Sequence, residues 1–562
     1  MDNEKKLNVS NRWKDLAQTK TWVDIFEATV REFPDNEALV FWESKQRFTY
    51  REYKEKVDEM AKGLYAIGVR KGTHVGLWMT NCPAWCFARL AIYKLGAVMI
   101  PFHTRYKLEE LKYVLKQSDT SVLLMRDKFL GRIDAMDMLL ELIPDMGAYK
   151  AGEINSEEFP ELKNVICMGE NEYRGTYSLR HVFELGSLIK EKDIDSIKTS
   201  PIDTIHIIYT SGTTGFPKGV VTPNSCNVAY CSISAELYGL DKNSRYLNVM
   251  PFFGNMGLWN HTLPILNGST LVVGGPRFDP EDTLKIIESE HITNAILVPT
   301  MLSDILNHPE SHKYDLSSMK RITCAGAVLP ETLIKLAKDK LGLYLMNIYG
   351  LSEASGLSTW VPYGDTPEHM QKSVGLPMPH CELSIIDKNT GVTLSAGEEG
   401  EICTREKFPG SQHMKGYYKK PELTAETIKD GWLHSGDLGK QDKNGYVYIT
   451  GRIKEMITVG GFNVSPPEIE NYLLKYPGIA NVAVVGVPDQ RLGEVGAAFI
   501  VMNKGQKALE WDILDFCKDK ISNVKIPRYI FFTDKLPLTP QGKVQKFKLR
   551  EVALQKLNIE GE

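Results

Sequence analysis

Along the first two hundred residues, apolar positions switch between a helical and a strand period. Thr49-Tyr50-Arg51-Glu52 has the spacing of a helix capping box, and Tyr53, Val57, Met60, Ala61 and Leu64 then recur on one helical face. Gly68 stands where that helix would end. Residues 74–79 read as a strand, Pro83 opens a helix that runs toward Gly96, and residues 98–101 read as a strand. Residues 108–115 follow as a helix and 121–125 as a strand. Strands separated by helices of this length predict parallel pairing with crossover connections, an α/β fold. The acidic, helix-breaking stretch around 147–161 is the main polar interlude, and no short-period repeat is present.

A further apolar run, 205–209, reads as a buried strand and leads into Tyr209-Thr210-Ser211-Gly212-Thr213-Thr214-Gly215-Phe216-Pro217-Lys218-Gly219. Glycines let backbone N–H groups approach a ligand, while hydroxyls and one ammonium supply more donors, a mixture suited to polyphosphate. The end of a strand is also where ligands bind open α/β sheets. A Walker loop is excluded: Pro217 precedes Lys218, Gly219 follows it, and no Ser or Thr stands next to the lysine.

Three more constellations lie downstream. Asn347-Ile348-Tyr349-Gly350-Leu351-Ser352-Glu353 follows an apolar run at 343–348, so Gly350, Ser352 and Glu353 are expected at a strand end. A carboxylate beside polyphosphate suits Mg2+, although Glu353 taken alone reads more readily as a helix N-terminal residue favoured by the dipole. Trp432-Leu433-His434-Ser435-Gly436-Asp437 places Asp437 in an expected glycine-flanked turn, where it could accept from ribose hydroxyls or form an Asx turn. Gly451-Arg452-Ile453-Lys454-Glu455 and Gly460-Gly461-Phe462-Asn463-Val464 come next, and Leu536–Lys546 carries Lys543 on a Pro/Gly-framed loop.

Composition narrows the class. With 562 residues, 43% hydrophobic and 25% charged, the chain is expected to form several globular subdomains. A net charge of −4 argues against bulk attraction to nucleic acid or to anionic membranes. No run approaches the roughly 20 apolar residues of a membrane span, and Met1-Asp2-Asn3-Glu4-Lys5-Lys6 leads into no apolar signal region, so a cytoplasmic enzyme is expected. The nine cysteines are scattered and odd in number, which speaks against a disulfide framework. Cys82 and Cys86, four apart on an expected helix, read as core residues rather than a zinc or redox site.

The segments 209–219, 349–353, 435–437, 451–454 and 542–543, in this order, resemble the adenylate-forming superfamily of acyl-CoA synthetases, 4-coumarate–CoA ligases, beetle luciferases and peptide-synthetase adenylation domains. The resemblance extends over roughly residues 21–550. It implies a large N-terminal domain, 1–453, of two α/β subdomains plus a small β-barrel starting near Gly375 and including a strand at 401–405. A mobile α+β C-terminal domain, 454–562, would follow, hinged at Lys454. The implied chemistry is attack of a carboxylate on the α-phosphorus of ATP, giving acyl-adenylate and pyrophosphate, then attack of the coenzyme A thiol with release of AMP.

By the same resemblance Ser211, Thr213, Thr214 and Lys218 would hold the β- and γ-phosphates, with Thr210, Gly212, Gly215 and Gly350 also in the ATP/AMP site. Ser352 would touch the α-phosphate, Glu353 would bind Mg2+, and Gly326, Ala327 and Tyr349 would enclose adenine. Asp437 and Arg452 would take the ribose, and Lys543 would bridge the carboxylate and the α-phosphate. Phe253, Gly254, Gly460 and Gly461 would line the acyl and coenzyme A channel. The cofactors and partners implied are ATP, Mg2+, coenzyme A and a small carboxylic acid, with a homodimer allowed.

Departures are few. Gly254 stands where the family usually has His after Pro-Phe-Phe, which should enlarge or reshape the acid pocket; Ser352 replaces a Thr, Ser435 a Thr, and Lys546 a closing Arg. Phe252, Phe253, Met256 and Trp259, with the small and apolar residues 354–360, suggest a medium- or long-chain fatty acid or a cyclic or aromatic carboxylate. No Asp is placed to grip an α-amino group. The alternative reading is a stand-alone adenylation enzyme that loads a carrier protein; a luciferase-like oxygenating enzyme and a non-catalytic nucleotide-binding module are further rivals.

Overall fold

The computed structural model describes residues 9–131, 133–169, 171–210, 217–325, 329–411, 413–460, 462–518, 520–538 and 544–557. It divides into two compact units, Met1–Gln371 with Gly375–Glu382 and Arg405–Leu433, and Lys372–Val374 with Leu383–Thr404 and His434–Glu562.

The first unit holds two sheets. In one, strands Lys218–Pro223, Thr204–Thr210, Val98–Pro101, His74–Trp78, Val122–Met125 and Asn164–Cys167 lie side by side in that order. All these pairings are parallel except that of Thr204–Thr210 with Lys218–Pro223. The short strand Gly416–Tyr417 extends this sheet beyond Lys218–Pro223, with Tyr417 opposite Val220. The other has nine strands; Leu345–Leu351, Arg321–Ala325, Asn294–Leu297, Arg245–Asn248, Thr270–Val273 and Glu37–Phe41 form its parallel centre. Val98–Pro101, Val122–Met125, Thr270–Val273 and Asn294–Leu297 are buried at every position, as expected for strands covered on both faces, which is why they read as apolar runs without alternation.

The capping box at Thr49 forms, with helix Tyr50–Ala66 burying Tyr53, Val57, Met60, Ala61 and Leu64, and Gly68 beyond its end has φ +98°. Helices Pro83–Lys94 and Leu108–Gln117 also lie where the pattern places them. Cys82 departs from expectation: Pro83 begins the helix, so Cys82 is its N-cap residue, while Cys86 is buried inside it. All nine cysteines are free thiols.

Strands Gly400–Glu406 and Trp432–Gln441, each mostly in the second unit, and Val447–Arg452 contribute to a five-stranded sheet, in which Trp432–Gln441 and Val447–Arg452 are antiparallel. Farther along, Ile479–Asp489 and Gly493–Met502 form a long hairpin, flanked by Ile457–Val459 and by the parallel strand Tyr529–Phe532. Its faces alternate: Val484, Ala498 and Ile500 pack on Ile469, Leu473 and Ile513, while Val485, Ala497 and Phe499 pack on Leu549 and Ala553. Among the described residues no helix is long and apolar enough to cross a membrane.

Candidate active site

In the first unit, Thr204–Thr210 runs outward and Lys218–Pro223 returns, with Thr210 directly opposite Lys218 at the mouth of the intervening loop. Ser211, Gly212, Thr213, Thr214 and Gly215 lie outside the described residues, as do Gly326 and Ala327, to which strand Arg321–Ala325 leads. Lys218 Nζ lies 3.4 Å from Tyr417 Oη and 4.6 Å from the ring centroid. Tyr417 Oη in turn donates to Glu353 Oε1 at 2.7 Å. Burial, reinforced by the neighbouring Glu353 carboxylate, pushes the Tyr417 phenol well above its ordinary pKa, so it stays a donor.

Glu353 belongs to a single turn, Ser352–Ala354, rather than to the start of a regular helix. The preceding strand is Leu345–Leu351, longer at its end than the apolar run suggests, so Tyr349 and Gly350 lie within it. The reason is cross-strand pairing with Gly356–Trp360, which carries the ladder past an irregularity between Tyr349 and Gly350. The Glu353 carbonyl accepts from Met414 N at 2.9 Å, which anchors the turn. Among the described residues Glu353 Oε2 accepts no hydrogen bond, which leaves one carboxylate oxygen for a hard cation. Ser352 Oγ accepts from Asn255 Nδ2. Asn255 opens helix Asn255–Asn260, whose N-cap is Gly254, and the preceding Phe253 is buried with its ring 4.2 Å from that of His103. Burial, with the Arg105 cation as a lesser cause, holds His103 at a pKa of about 3.

In the second unit Asp437 is not in a turn. It lies inside strand Trp432–Gln441, opposite Arg452, whose Nε donates to Asp437 Oδ1 at 2.7 Å. The glycine at 436 still departs from strand geometry, with φ +73°, but the partner strand keeps the backbone paired on both sides. Behind this strand Glu401 receives Gly436 N–H at 2.9 Å and contacts His434 Nδ1 at 2.7 Å, with Cys403 Sγ 3.5 Å from the same nitrogen. Lys454 is exposed in the single turn Ile453–Glu455. Gly460, at φ +58°, makes the tight turn after Ile457–Val459 and donates its N–H to Leu492 O. Gly461 and Lys543 lie outside the described residues. On the described residues to either side of Lys543, Leu538 pairs with Val544 and Gln545 N–H donates to Pro537 O at 2.8 Å. Lys546 bridges Glu470 at 2.8 Å and Glu455 at 3.2 Å.

The sequence reading missed Tyr417, Asn255 and the Glu401–His434 pair. Asn255 adjoins the singled-out Gly254, and its amide was a usable signal. Tyr417 is 64 residues from Glu353 and reaches it only through edge-strand pairing, so no local pattern marks it.

A family model described as AMP-binding enzyme matches residues 26–418, and one for the AMP-binding enzyme C-terminal domain matches 468–543. The chain belongs to the AMP-binding enzyme family. Similar proteins span nearly its whole length. The medium-chain acyl-CoA ligase ACSF2, mitochondrial, of Bos taurus is 35% identical over 552 residues, covering 96% of this chain and 88% of the relative. YngI of Bacillus subtilis (strain 168), whose acyl-CoA synthetase name is itself provisional, is 36% identical over 540 residues, covering 95% of this chain and 97% of that one. Among solved structures, the anthranilate CoA ligase AuaEII in complex with anthranoyl-AMP superposes with a TM-score of 0.83 at 27% identity, covering 98% of this AMP-binding enzyme and 100% of the other chain.

Proposed function

We propose that this AMP-binding enzyme is an AMP-forming acyl-CoA ligase. A carboxylate oxygen attacks the α-phosphorus of ATP and expels pyrophosphate; the thiol of coenzyme A then attacks the acyl carbon of the mixed anhydride and expels AMP. The observation that carries this reading is the chain Lys218–Tyr417–Glu353, which sets an ammonium, a phenol and a carboxylate side by side at the end of the hydroxyl-rich loop. Such an array suits a metal-bound polyphosphate rather than an isolated anion. Relatives named as medium-chain acyl-CoA ligases and a structural neighbour named as an anthranilate CoA ligase favour a medium-chain or aromatic acid.

In this proposal Thr210, Lys218 and the loop residues 211–215 hold the phosphates, and Ser352, fixed by Asn255, faces the α-phosphate. Tyr349, Gly350, Gly326 and Ala327 enclose adenine, and Asp437 with Arg452 holds the ribose. Mg2+, when bound through Glu353, would neutralise phosphate charge. Phe253, Gly254, Gly460 and Gly461 line the acid and thiol channel. Lys543 stabilises the meeting of two anions, within a C-terminal domain proposed to begin at Lys454. The cytoplasm and a homodimer remain part of the proposal, tested by fractionation and light scattering.

The deciding experiment measures pyrophosphate release over a panel of carboxylic acids with ATP and Mg2+, with and without coenzyme A. Release that leads to AMP and a thioester only when coenzyme A is present is expected. Thioester formation only on a carrier protein would favour the adenylation-enzyme reading, and no release with any acid would overturn the proposal.

A further inference from the structure

Arg89, in helix Pro83–Lys94, is completely buried, and among the described residues no carboxylate pairs with it. Its contacts are with neutral groups. Nη1 donates to the Leu258 carbonyl at 2.5 Å and to His261 Nδ1 at 2.6 Å, and Nε donates to Tyr93 Oη at 3.1 Å. A guanidinium can only donate, so His261 Nδ1 must accept and the imidazole proton sits on Nε2. Tyr93 Oη, which accepts from Arg89, also meets His206 Nδ1 at 3.1 Å; with the phenol supplying the proton of that contact, the His206 proton lies on Nε2 as well.

The network therefore ends in N–H donors. Among the described residues Arg89 Nη2, His261 Nε2 and His206 Nε2 are each buried with no hydrogen-bond partner. Burial, with the nearby Arg89 cation as a lesser cause, holds both imidazoles well below the usual histidine pKa, so they are neutral and leave the guanidinium charge uncompensated. Other orphaned polar atoms in this interior, such as Trp78 Nε1, Trp85 Nε1 and the Asn260 amide, belong to neutral groups. Three unmet donors on one network around an unpaired cation are different: buried charge is normally paired, and each unmet donor is costly. An oxygen acceptor, and above all an anion, would satisfy both demands.

The network adjoins the stretch assigned to the acid. His261 lies 5.1 Å from the Phe252 ring and 5.5 Å from that of Trp85. Leu258, which holds Arg89, is on the same short helix as Asn255, which holds Ser352. Three residues of helix rise, about 4.5 Å, separate those two positions. We infer that Arg89, supported by His261 and His206, is the distal recognition site of the acid pocket, and that the preferred acid carries a second oxygen acceptor, foremost a carboxylate, at the end remote from the carboxyl that is adenylated. This rests on the acyl-CoA ligase reading and assigns Arg89 a role in specificity.

The test uses the full chain and pairs of acids of equal length, one ending in methyl and one in carboxylate, with hydroxyl-ended acids as a third series. Pyrophosphate release gives kcat/KM for each. Wild type is expected to favour an acceptor-ended acid over its methyl-ended partner by about tenfold or more, because the buried donors are left unmet by methyl. Arg89→Gln should collapse that ratio by about tenfold or more, while Arg89→Lys retains part of it. Preference for methyl-ended acids at every length, or a ratio unchanged in Arg89→Gln, overturns the inference. If melting curves show that the variants do not fold, the wild-type ratio decides alone. Release with methyl-ended acids only defeats this inference and leaves the ligase reading standing, whereas no release with any acid defeats both.

Discussion

Tyr417 donates its phenolic proton to Glu353 across a 2.7 Å hydrogen bond while its ring lies under the Lys218 ammonium. One side chain thus orients the proposed metal carboxylate and flanks the proposed phosphate lysine. Tyr417 is delivered by a two-residue edge strand paired to the strand that begins at Lys218, while Glu353 comes from the turn after a strand of the other sheet, so the three groups meet where the two sheets approach.

Tyr417→Phe keeps the ring and removes the hydrogen bond. The expected outcome is a fall in adenylation rate of roughly tenfold and a higher half-saturating Mg2+ concentration, because Glu353 loses its orienting donor. Pyrophosphate release across a Mg2+ titration checks this. An unchanged Mg2+ dependence would remove Tyr417 from the metal site.

Lys543→Ala should depress adenylate formation by about a hundredfold or more and spare thioester formation from a supplied acyl-adenylate. Lys454→Pro should show the opposite bias, since proline restricts the φ change a hinge must absorb. Half-reaction kinetics on both variants check the pair; equal damage to both steps in either variant contradicts its assignment.

Asp437 is buried and ion-paired to the half-exposed Arg452. Asp437→Asn preserves shape and removes the charge, so KM for ATP should rise about tenfold through weaker charge-assisted ribose contacts. A lowered Tm with unchanged KM would instead mark the pair as scaffold of the strands.

Acid should destabilise the fold well before its carboxylates titrate. His103 and His380 are both held at about 3 by burial, with Arg105 the lesser cause at the first and His413 and Lys407 at the second. In the unfolded chain each returns to about 6.5. Between those values the unfolded state binds protons that the folded state does not. Stability is therefore full above 6.5 and falls as pH drops toward 3, by about 1.4 kcal/mol per pH unit per histidine. Thermal melts from pH 8 to 4 should show a plateau and then a decline, and His380→Asn should make the decline shallower. A Tm independent of pH over that range would contradict the neutral, buried histidines.

Much of this was legible in the chain. Helix Tyr50–Ala66 and the strands around it follow from local spacing, because capping, glycine termination and apolar periodicity act over a few residues. Strand Leu345–Leu351 ran past its apolar stretch because its pairing with Gly356–Trp360, not its composition, sets its end. Asp437 looked like a turn residue for the same reason: the flanking glycine is local, whereas the strand carrying Arg452 is not.

By itself the sequence determined the α/β architecture and the enzyme family, since periodicity and a dense set of loop motifs are short-range properties of the chain. Only the tertiary structure decided that Tyr417 would meet Glu353, and that Arg89 would be buried beside His261 without a counter-ion among the described residues. Both depend on pairing and packing between residues far apart in sequence, and no local pattern encodes which distant side chain will fill the remaining hydrogen-bonding valence.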